Sequence, residues 1–114
     1  MGEVRRFRGR GVRRQPGVMN GWERRCALHL EERQRLGEIQ WFEFDSIKLR
    51  LADKTFYTPD FLVLNTEGFL EVHEVKGHWE DDARVKIKVA ADKFPMKFLA
   101  ITIDPIKGWV YEEI

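Results

Sequence analysis

The chain has 114 residues, of which 43% are hydrophobic and 34% charged, and its formal net charge is +1. These values are typical of one soluble globular domain and leave no room for a second domain of ordinary size. No apolar run reaches the length needed to cross a bilayer, and no apolar segment follows the basic N-terminus as in a secretory signal, so we expect a cytoplasmic location. The single cysteine, Cys26, excludes an internal disulfide and a thiolate metal cluster, and we expect it in the core.

Positive charge is concentrated near the N-terminus. Residues 1–14 carry six arginines against one glutamate, a net charge of +5, whereas the other 100 residues carry 14 basic and 18 acidic side chains, a net charge of −4. An arginine- and glycine-rich segment buries too little apolar surface to fold alone. We therefore predict a flexible basic arm over residues 1–19 that contacts nucleic acid, with a solvated tail as the alternative. The arginines predicted to bind DNA are Arg5, Arg6, Arg8, Arg10, Arg13 and Arg14.

A single folded domain is predicted over residues 20–114, and it begins with a helix. Asn20, with Glu23 three residues later, has the pattern of a capping box, so the helix is predicted to run from there to about Leu36 and to end at Gly37. The predicted buried stripe of this helix recurs every fourth residue and comprises Trp22, Cys26 and Leu30.

Two strand regions follow the helix. Residues 39–51 predict a strand segment whose second half alternates apolar and basic residues, and residues 52–54 predict a turn. Residues 57–76, YTPDFLVLNTEGFLEVHEVK, predict a hairpin, because β-branched and aromatic residues flank a turn at residues 65–68.

Strand alternation assigns the side chains of the second hairpin strand to two faces. One face carries Val72, Glu74 and Lys76. The other carries Glu71, His73 and Val75, so His73 is predicted to be a structural histidine rather than a base or a ligand.

The remainder of the chain predicts a second helix and two strands. Acidic residues at 80–82 suit the start of a helix that ends near Phe94 and Pro95. A buried strand is predicted over 98–103, and an edge strand over 109–113. The predicted order is therefore helix, three strands, helix, strand and a C-terminal edge strand, an α/β fold. The residues predicted to cover the sheet from the second helix are Val85, Val89, Ala90, Ala91 and Phe94.

The hairpin carries the most informative motif. Pro59-Asp60, then a strand, then Glu74-Val75-Lys76 resembles the signature of the PD-(D/E)XK nuclease superfamily, a Pro-Asp followed by acid-any-Lys. Within it the chain is most similar to small archaeal and phage Holliday junction resolvases, which also place a glutamate in an N-terminal helix, here Glu23. The resemblance covers about residues 20–103. It implies a restriction-endonuclease-like core, a mixed central β-sheet flanked by two helices.

The resemblance also implies a catalytic site. Its catalytic residues would be Glu23, Asp60, Glu74 and Lys76. A magnesium ion, or manganese, would bind Asp60, Glu74, the carbonyl of Val75, and Glu23 directly or through water. Lys76 would orient the attacking water or stabilise developing negative charge. The structural alternatives are a capping role for Glu23 and a paired Glu and Lys on an amphipathic strand.

The function implied is metal-dependent endonuclease action on DNA, and most specifically resolution of four-way junctions by a symmetric homodimer. Arg24 and Lys86 are further candidates for DNA contacts, with a solvated helix face as the alternative. The expected setting is the cytoplasm of a bacterium, an archaeon or a phage-infected host, with no membrane partner and no small-molecule substrate. The alternatives are another phage-type nuclease of the same core that processes ends or flaps, and a non-catalytic nucleic-acid-binding module.

Overall fold

The structure is a computed structural model that describes residues 17–76 and 81–114. Neither helix in these ranges is long and apolar enough to cross a membrane. The basic arginines of residues 5–14 lie outside the described ranges, as do residues 77–80. The elements, in chain order, are α1 (Gly21–Arg35), β1 (Ile39–Phe44), β2 (Leu49–Ala52), β3 (Thr55–Tyr57), β4 (Phe61–Asn65), β5 (Leu70–Val75), α2 (Asp81–Lys93), β6 (Lys97–Asp104) and β7 (Gly108–Glu113).

Helix α1 begins and ends close to where the sequence predicts. The Asn20 side chain accepts a 2.8 Å hydrogen bond from the Glu23 N–H, and the Glu23 carboxylate accepts a 3.0 Å bond from the Asn20 N–H. These reciprocal bonds confirm the capping box. The helix ends just before Gly37, whose φ of +78° lies in the left-handed region that glycine adopts without strain.

The buried side of α1 differs from the predicted stripe at one residue. Cys26 and Leu30 are buried as predicted, but Trp22 is 40% exposed and Glu23 is buried in its place. Trp22 and Leu30 are eight residues apart, which separates them by about 80° around a helix of 3.6 residues per turn, whereas Glu23 lies within about 20° of Leu30. Glu23 occupies the core side because the cap already satisfies part of its carboxylate.

The main sheet has five strands in the order β1-β4-β5-β6-β7. Strands β5 and β6 are parallel and are joined by α2, whereas the other neighbours are antiparallel, so the sheet is mixed. The predicted hairpin is confirmed as β4 and β5, the predicted buried strand as β6, and the predicted edge strand as β7. The chain is therefore an α/β protein with a mixed sheet and two helices.

The region before the hairpin contains more strands than predicted. Residues 39–51 form two strands in two different sheets, because β1 belongs to the main sheet and β2 pairs only with β3. Between them the backbone of Asp45 has a φ of +55°, which ends the extended conformation of β1. The chain then turns into β2, where the buried residues Leu49 and Leu51 alternate with exposed residues, as predicted.

The two faces of the main sheet have separate hydrophobic cores. Helix α1 covers one face, and α2 with the β2–β3 hairpin covers the other. The buried residues on the α1 side are Cys26, Ala27, Leu30, Ile39, Phe61, Val63, Val75, Leu99 and Ile101. The buried residues on the α2 side are Leu49, Leu51, Tyr57, Leu62, Val72, Ala83, Ile87, Ala90 and Phe98.

The prediction for the buried face of α2 is wrong at two positions. Val85 and Val89 are 59% and 39% exposed, and Ile87, with alanines on either side, faces the sheet instead. Helix α2 has two apolar rows with the same spacing, one with Val85 and Val89 and the other with Ile87 and the alanines. Periodicity alone therefore does not show which row faces the sheet. The row with alanines allows the helix backbone to approach the sheet closely. The predicted contributions of Ala90, Ala91 and Phe94 to this core are confirmed.

Candidate active site

The site lies at the edge of the sheet where β4 begins and β5 ends. Phe61 pairs with His73, so one step further along the antiparallel ladder Asp60 lies beside Glu74. The Asp60 side chain is fully buried, and its Oδ2 accepts a 2.8 Å hydrogen bond from the N–H of Val75. The Pro-Asp and acid-any-Lys segments, which have 13 residues between them in sequence, are thus hydrogen-bonded to each other.

Glu74 is the second buried carboxylate of the site. Its side chain is 1% exposed, and each of its oxygens has a donor. The hydroxyl of Tyr57 donates to Oε1 at 2.9 Å, and Nζ of Lys76 lies 3.1 Å from Oε2. The Lys76 side chain is 11% exposed, so this ion pair is shielded from bulk water and much less screened than a surface pair. The prediction that Glu74 and Lys76 share a face is confirmed.

Glu23 on α1 is a third buried carboxylate of the described residues, 2% exposed. Burial, together with the smaller effects of the negative charges of Asp60 and Glu23, raises the pKa of the Cys26 thiol to about 12. Both carboxylates therefore lie close enough to this buried thiol to influence its ionisation. The Asn20 N–H donates to Oε1 of Glu23, so the capping role of this residue is confirmed.

His73 lies on the opposite face of β5, as strand alternation predicts. His73 is fully buried, and its Nε2 lies 2.9 Å from Oε1 of Glu71. Burial lowers the pKa of His73, while the hydrogen bond to Glu71 opposes that shift. The ring edge faces Tyr111 at a centroid distance of 6.0 Å. His73 therefore belongs to the packing of the α1 side and not to the group formed by Glu74 and Lys76.

The oxygen donors of the site have the chemistry that a hard divalent cation requires. Mg²⁺ is usually bound through one or two carboxylates together with waters and other oxygens, and Asp60, Glu74 and the carbonyl of Val75 are such a set. The Thr58 hydroxyl, two residues before Asp60, is buried with no hydrogen-bond partner, and a bound water or ligand oxygen would satisfy such an atom. Within residues 17–76 and 81–114, no group of three or more His, Cys, Asp or Glu side chains is already arranged around a cation position. The residues therefore fit a site that binds through two carboxylates and completes its shell with water and substrate.

Of the residues predicted to contact DNA, Arg24 and Lys86 lie in the described ranges. Arg24 is exposed on α1, adjacent in sequence to Glu23 at the site. Lys86 is half-buried on α2, on the face of the sheet opposite Arg24 and the same face as Glu74. His78 and Trp79, which follow Lys76 closely in sequence, lie outside the described residues.

Two features of the site region were not predicted from the sequence. The sequence indicates for Tyr57 only an aromatic residue of the hairpin, because nothing near it in sequence points to a hydroxyl partner 17 residues away. Trp22 is predicted in the core but is 40% exposed, with the guanidinium of Arg25 5.4 Å from its ring centroid. The helical angle between Trp22 and Leu30 was the available signal.

Comparisons of this chain with protein-family models, with curated proteins and with solved structures found no match. The assignment of a function therefore rests on the residues and geometry of the site described above.

Proposed function

We propose that this protein is a divalent-metal-dependent endonuclease with a restriction-endonuclease-like core, which hydrolyses phosphodiester bonds in branched DNA. The observation that carries the proposal is the grouping of Asp60, Glu74 and Lys76 at adjoining strand ends. Asp60 and Glu74 are 0% and 1% exposed. Burying two neighbouring carboxylates is unfavourable, and groups of this kind are typical of sites that bind a ligand or perform chemistry.

The roles of the side chains follow from their positions. Asp60 and Glu74, with the Val75 carbonyl, would hold the cation, and Glu23 would bind it directly or through water. The bound cation would polarise the phosphate and lower the pKa of a bound water. Lys76 holds its ammonium 3.1 Å from Glu74, where it orients that carboxylate and can stabilise negative charge that develops on the phosphate.

Selectivity for a four-way junction is the most specific part of the proposal. It is supported by the similarity of the Pro59-Asp60 and Glu74-Val75-Lys76 segments, together with helical Glu23, to junction resolvases. A four-way junction has two-fold symmetry, which a homodimer with two equivalent sites matches. The arginines of residues 5–14 would add contacts to phosphates that do not depend on sequence.

The test is cleavage of a synthetic four-way junction, a duplex of the same sequence and a single strand, each with and without Mg²⁺. We expect symmetric nicking of the junction that requires the metal. Asp60→Asn and Glu74→Gln should each reduce the rate roughly hundredfold or more while leaving the circular dichroism spectrum unchanged, since they remove cation ligands but conserve shape.

Asp53→Asn is the matched control for these variants. Its carboxylate is 81% exposed in the β2–β3 turn, so the same chemical change there should leave cleavage at the wild-type rate. Wild-type rates in Asp60→Asn, or no cutting of any substrate with Mg²⁺ or Mn²⁺, would contradict the proposal. Equal cutting of junction and duplex would leave a general nuclease of the same core.

One observation favours a second candidate, a non-catalytic nucleic-acid-binding module. Both oxygens of Glu74 already accept hydrogen bonds or ion pairs from Tyr57 and Lys76, which is an arrangement that also stabilises a site with no cation. The same experiment separates the two candidates, because the module would bind the junction equally with and without Mg²⁺ and would leave it intact.

A further inference from the structure

The β6–β7 hairpin extends beyond the end of β5, at the same end of the sheet as the site. Val75, the last residue of β5, pairs with Ile101, and β6 continues for three more residues to Asp104. At about 3.3 Å per residue the hairpin reaches about 10 Å beyond the end of β5 before it turns. Its ladder remains paired to the end, because Asp104 pairs with Gly108.

The turn of this hairpin is fixed by its own hydrogen bonds. Oδ1 of Asp104 accepts bonds of 2.8 Å from the N–H groups of Ile106 and Lys107. Pro105 restricts its own φ, and Gly108 takes a φ of +79° that reverses the chain into β7. The end of the hairpin is therefore a narrow, preorganised structure.

The turn of this hairpin contains an apolar residue, Ile106, although turns favour glycine, asparagine, aspartate and serine. Ile106 is 94% exposed, the most exposed large hydrophobic residue in the described part of the chain. The next residue, Lys107, is also exposed and carries a positive charge. One aliphatic side chain on a two-stranded ribbon is too small for a stable protein interface, which needs about 800 Å² on each partner. A single aliphatic side chain has the size that DNA-bending proteins insert between two base pairs.

The position of Ile106 relative to the site defines where it would act. Glu74 pairs with Ala100, and Asp104 lies four positions after Ala100, a distance of about 13 Å along the strand. One strand of DNA has a phosphate every 3.4 Å of helix axis, so this distance corresponds to about four nucleotides. A hairpin end at a branch point would place the site a few nucleotides from the crossover.

We propose that Ile106 is a wedge that inserts between the base pairs flanking the branch point of DNA, with Lys107 beside the adjacent phosphate. This inference rests on the proposed function and specifies how that site would select its substrate. Base pairs at a branch point have stacking partners held less firmly than those inside a continuous helix, so the wedge unstacks them at a lower cost than it would in linear duplex. The hairpin thereby favours branched over linear DNA.

The test uses the full chain and a four-way junction with 2-aminopurine at the branch point, in EDTA so that no strand is cut. The fluorescence of 2-aminopurine rises when the base loses its stacking partners. We expect a rise on saturation with the wild-type protein and with Ile106→Leu, and none with Ile106→Ser. Ile106→Ser should also weaken junction binding roughly tenfold while changing duplex affinity less than about twofold, because only branched DNA admits the wedge.

Phe69→Ser is the matched control, because Phe69 is 66% exposed at the turn between β4 and β5, at the opposite end of the sheet. It should behave as wild type. A wild-type fluorescence rise with Ile106→Ser, an equal loss with Phe69→Ser, or a change in oligomeric state with Ile106→Ser by sedimentation would each overturn the wedge.

The measurement also separates the wedge from the nuclease. If the junction is bound without a rise in fluorescence and is then cut on addition of Mg²⁺, the wedge alone is overturned. Absence of junction binding overturns both.

Discussion

The hydroxyl of Tyr57 in the small β2–β3 sheet donates a 2.9 Å hydrogen bond to Oε1 of Glu74 in the main sheet. Tyr57 is fully buried against α2, so its ring has little freedom to move. Lys76 lies against the other oxygen of the same carboxylate. The plane of the Glu74 carboxylate is therefore fixed from two sides before any substrate arrives.

Tyr57→Phe should reduce cleavage by roughly 10–100-fold and raise the Mg²⁺ concentration needed for half-maximal rate, because the carboxylate loses one of its two orienting groups. The measurement is the cleavage rate across a Mg²⁺ titration. Tyr111→Phe removes a hydroxyl that contacts His29 instead, and it should leave the titration unchanged. A wild-type titration for Tyr57→Phe would show that the hydrogen bond serves only the fold.

The Lys76–Glu74 pair should be energetically coupled, because both groups are largely removed from water. In a double-mutant cycle with Lys76→Met and Glu74→Gln, we expect a coupling energy of roughly 1–3 kcal/mol in the free energy of unfolding. Urea denaturation of the four proteins measures it. The solvent-exposed pair of Arg50 and Asp53, at 3.5 Å, is the control and should show coupling below about 1 kcal/mol. Equal coupling in the two pairs would mean that the site pair behaves as a surface pair.

Cys26 should make stability fall at high pH. Burial raises its pKa from 9.0 to about 12 in the folded protein, so above pH 9 the unfolded chain releases the thiol proton while the folded chain retains it. The free energy of unfolding should then decrease by up to about 1.4 kcal/mol per pH unit between pH 9 and pH 12.

Cys26→Ala isolates the thiol from other groups that ionise in this range, such as Tyr111, whose pKa burial also raises. The variant should show a shallower decrease between pH 9 and pH 11 in urea titrations. Identical slopes for the variant and the wild type would refute the assignment.

Deletion of residues 2–14 should weaken DNA binding and flatten its dependence on salt. Each phosphate contact that is lost should lower the slope of log K against log salt by roughly 0.9 for duplex DNA. Fluorescence anisotropy at several salt concentrations measures the slope, and a short junction at saturating concentration should still be cut. An unchanged slope would indicate that the arm is only a solvated tail.

The hairpin and its motif could be predicted from the sequence because strand alternation is a local rule with a period of two. Once Phe61–Asn65 and Leu70–Val75 are recognised as strands, the shared face of Glu74 and Lys76 and the proximity of Asp60 follow from the turn between them. The capping box of Asn20 and Glu23 is equally local. These predictions needed no information from distant parts of the chain.

The incorrect predictions share a physical reason. Whether Val85 or Ile87 of α2 faces the sheet depends on the shape of the surface that the helix meets, and both rows are apolar. The separation of β1 from β2 depends on the backbone conformation of a single residue, Asp45. The bond from Tyr57 to Glu74 joins strands whose pairing partners differ, so no spacing within either strand encodes it.

The β2–β3 sheet has strands of only four and three residues, a size at which an isolated hairpin is barely stable in water. It remains in place by packing on α2 and by a 2.9 Å hydrogen bond from Nζ of Lys93 to the carbonyl of Leu51. Because Tyr57 belongs to this sheet, we expect heat to release the hairpin, and with it the hydrogen bond from Tyr57 to Glu74, while the five-stranded sheet is still folded. The temperature of half-inactivation should therefore lie below the melting temperature of the protein. The difference between the two temperatures should reflect the lower stability of the β2–β3 hairpin.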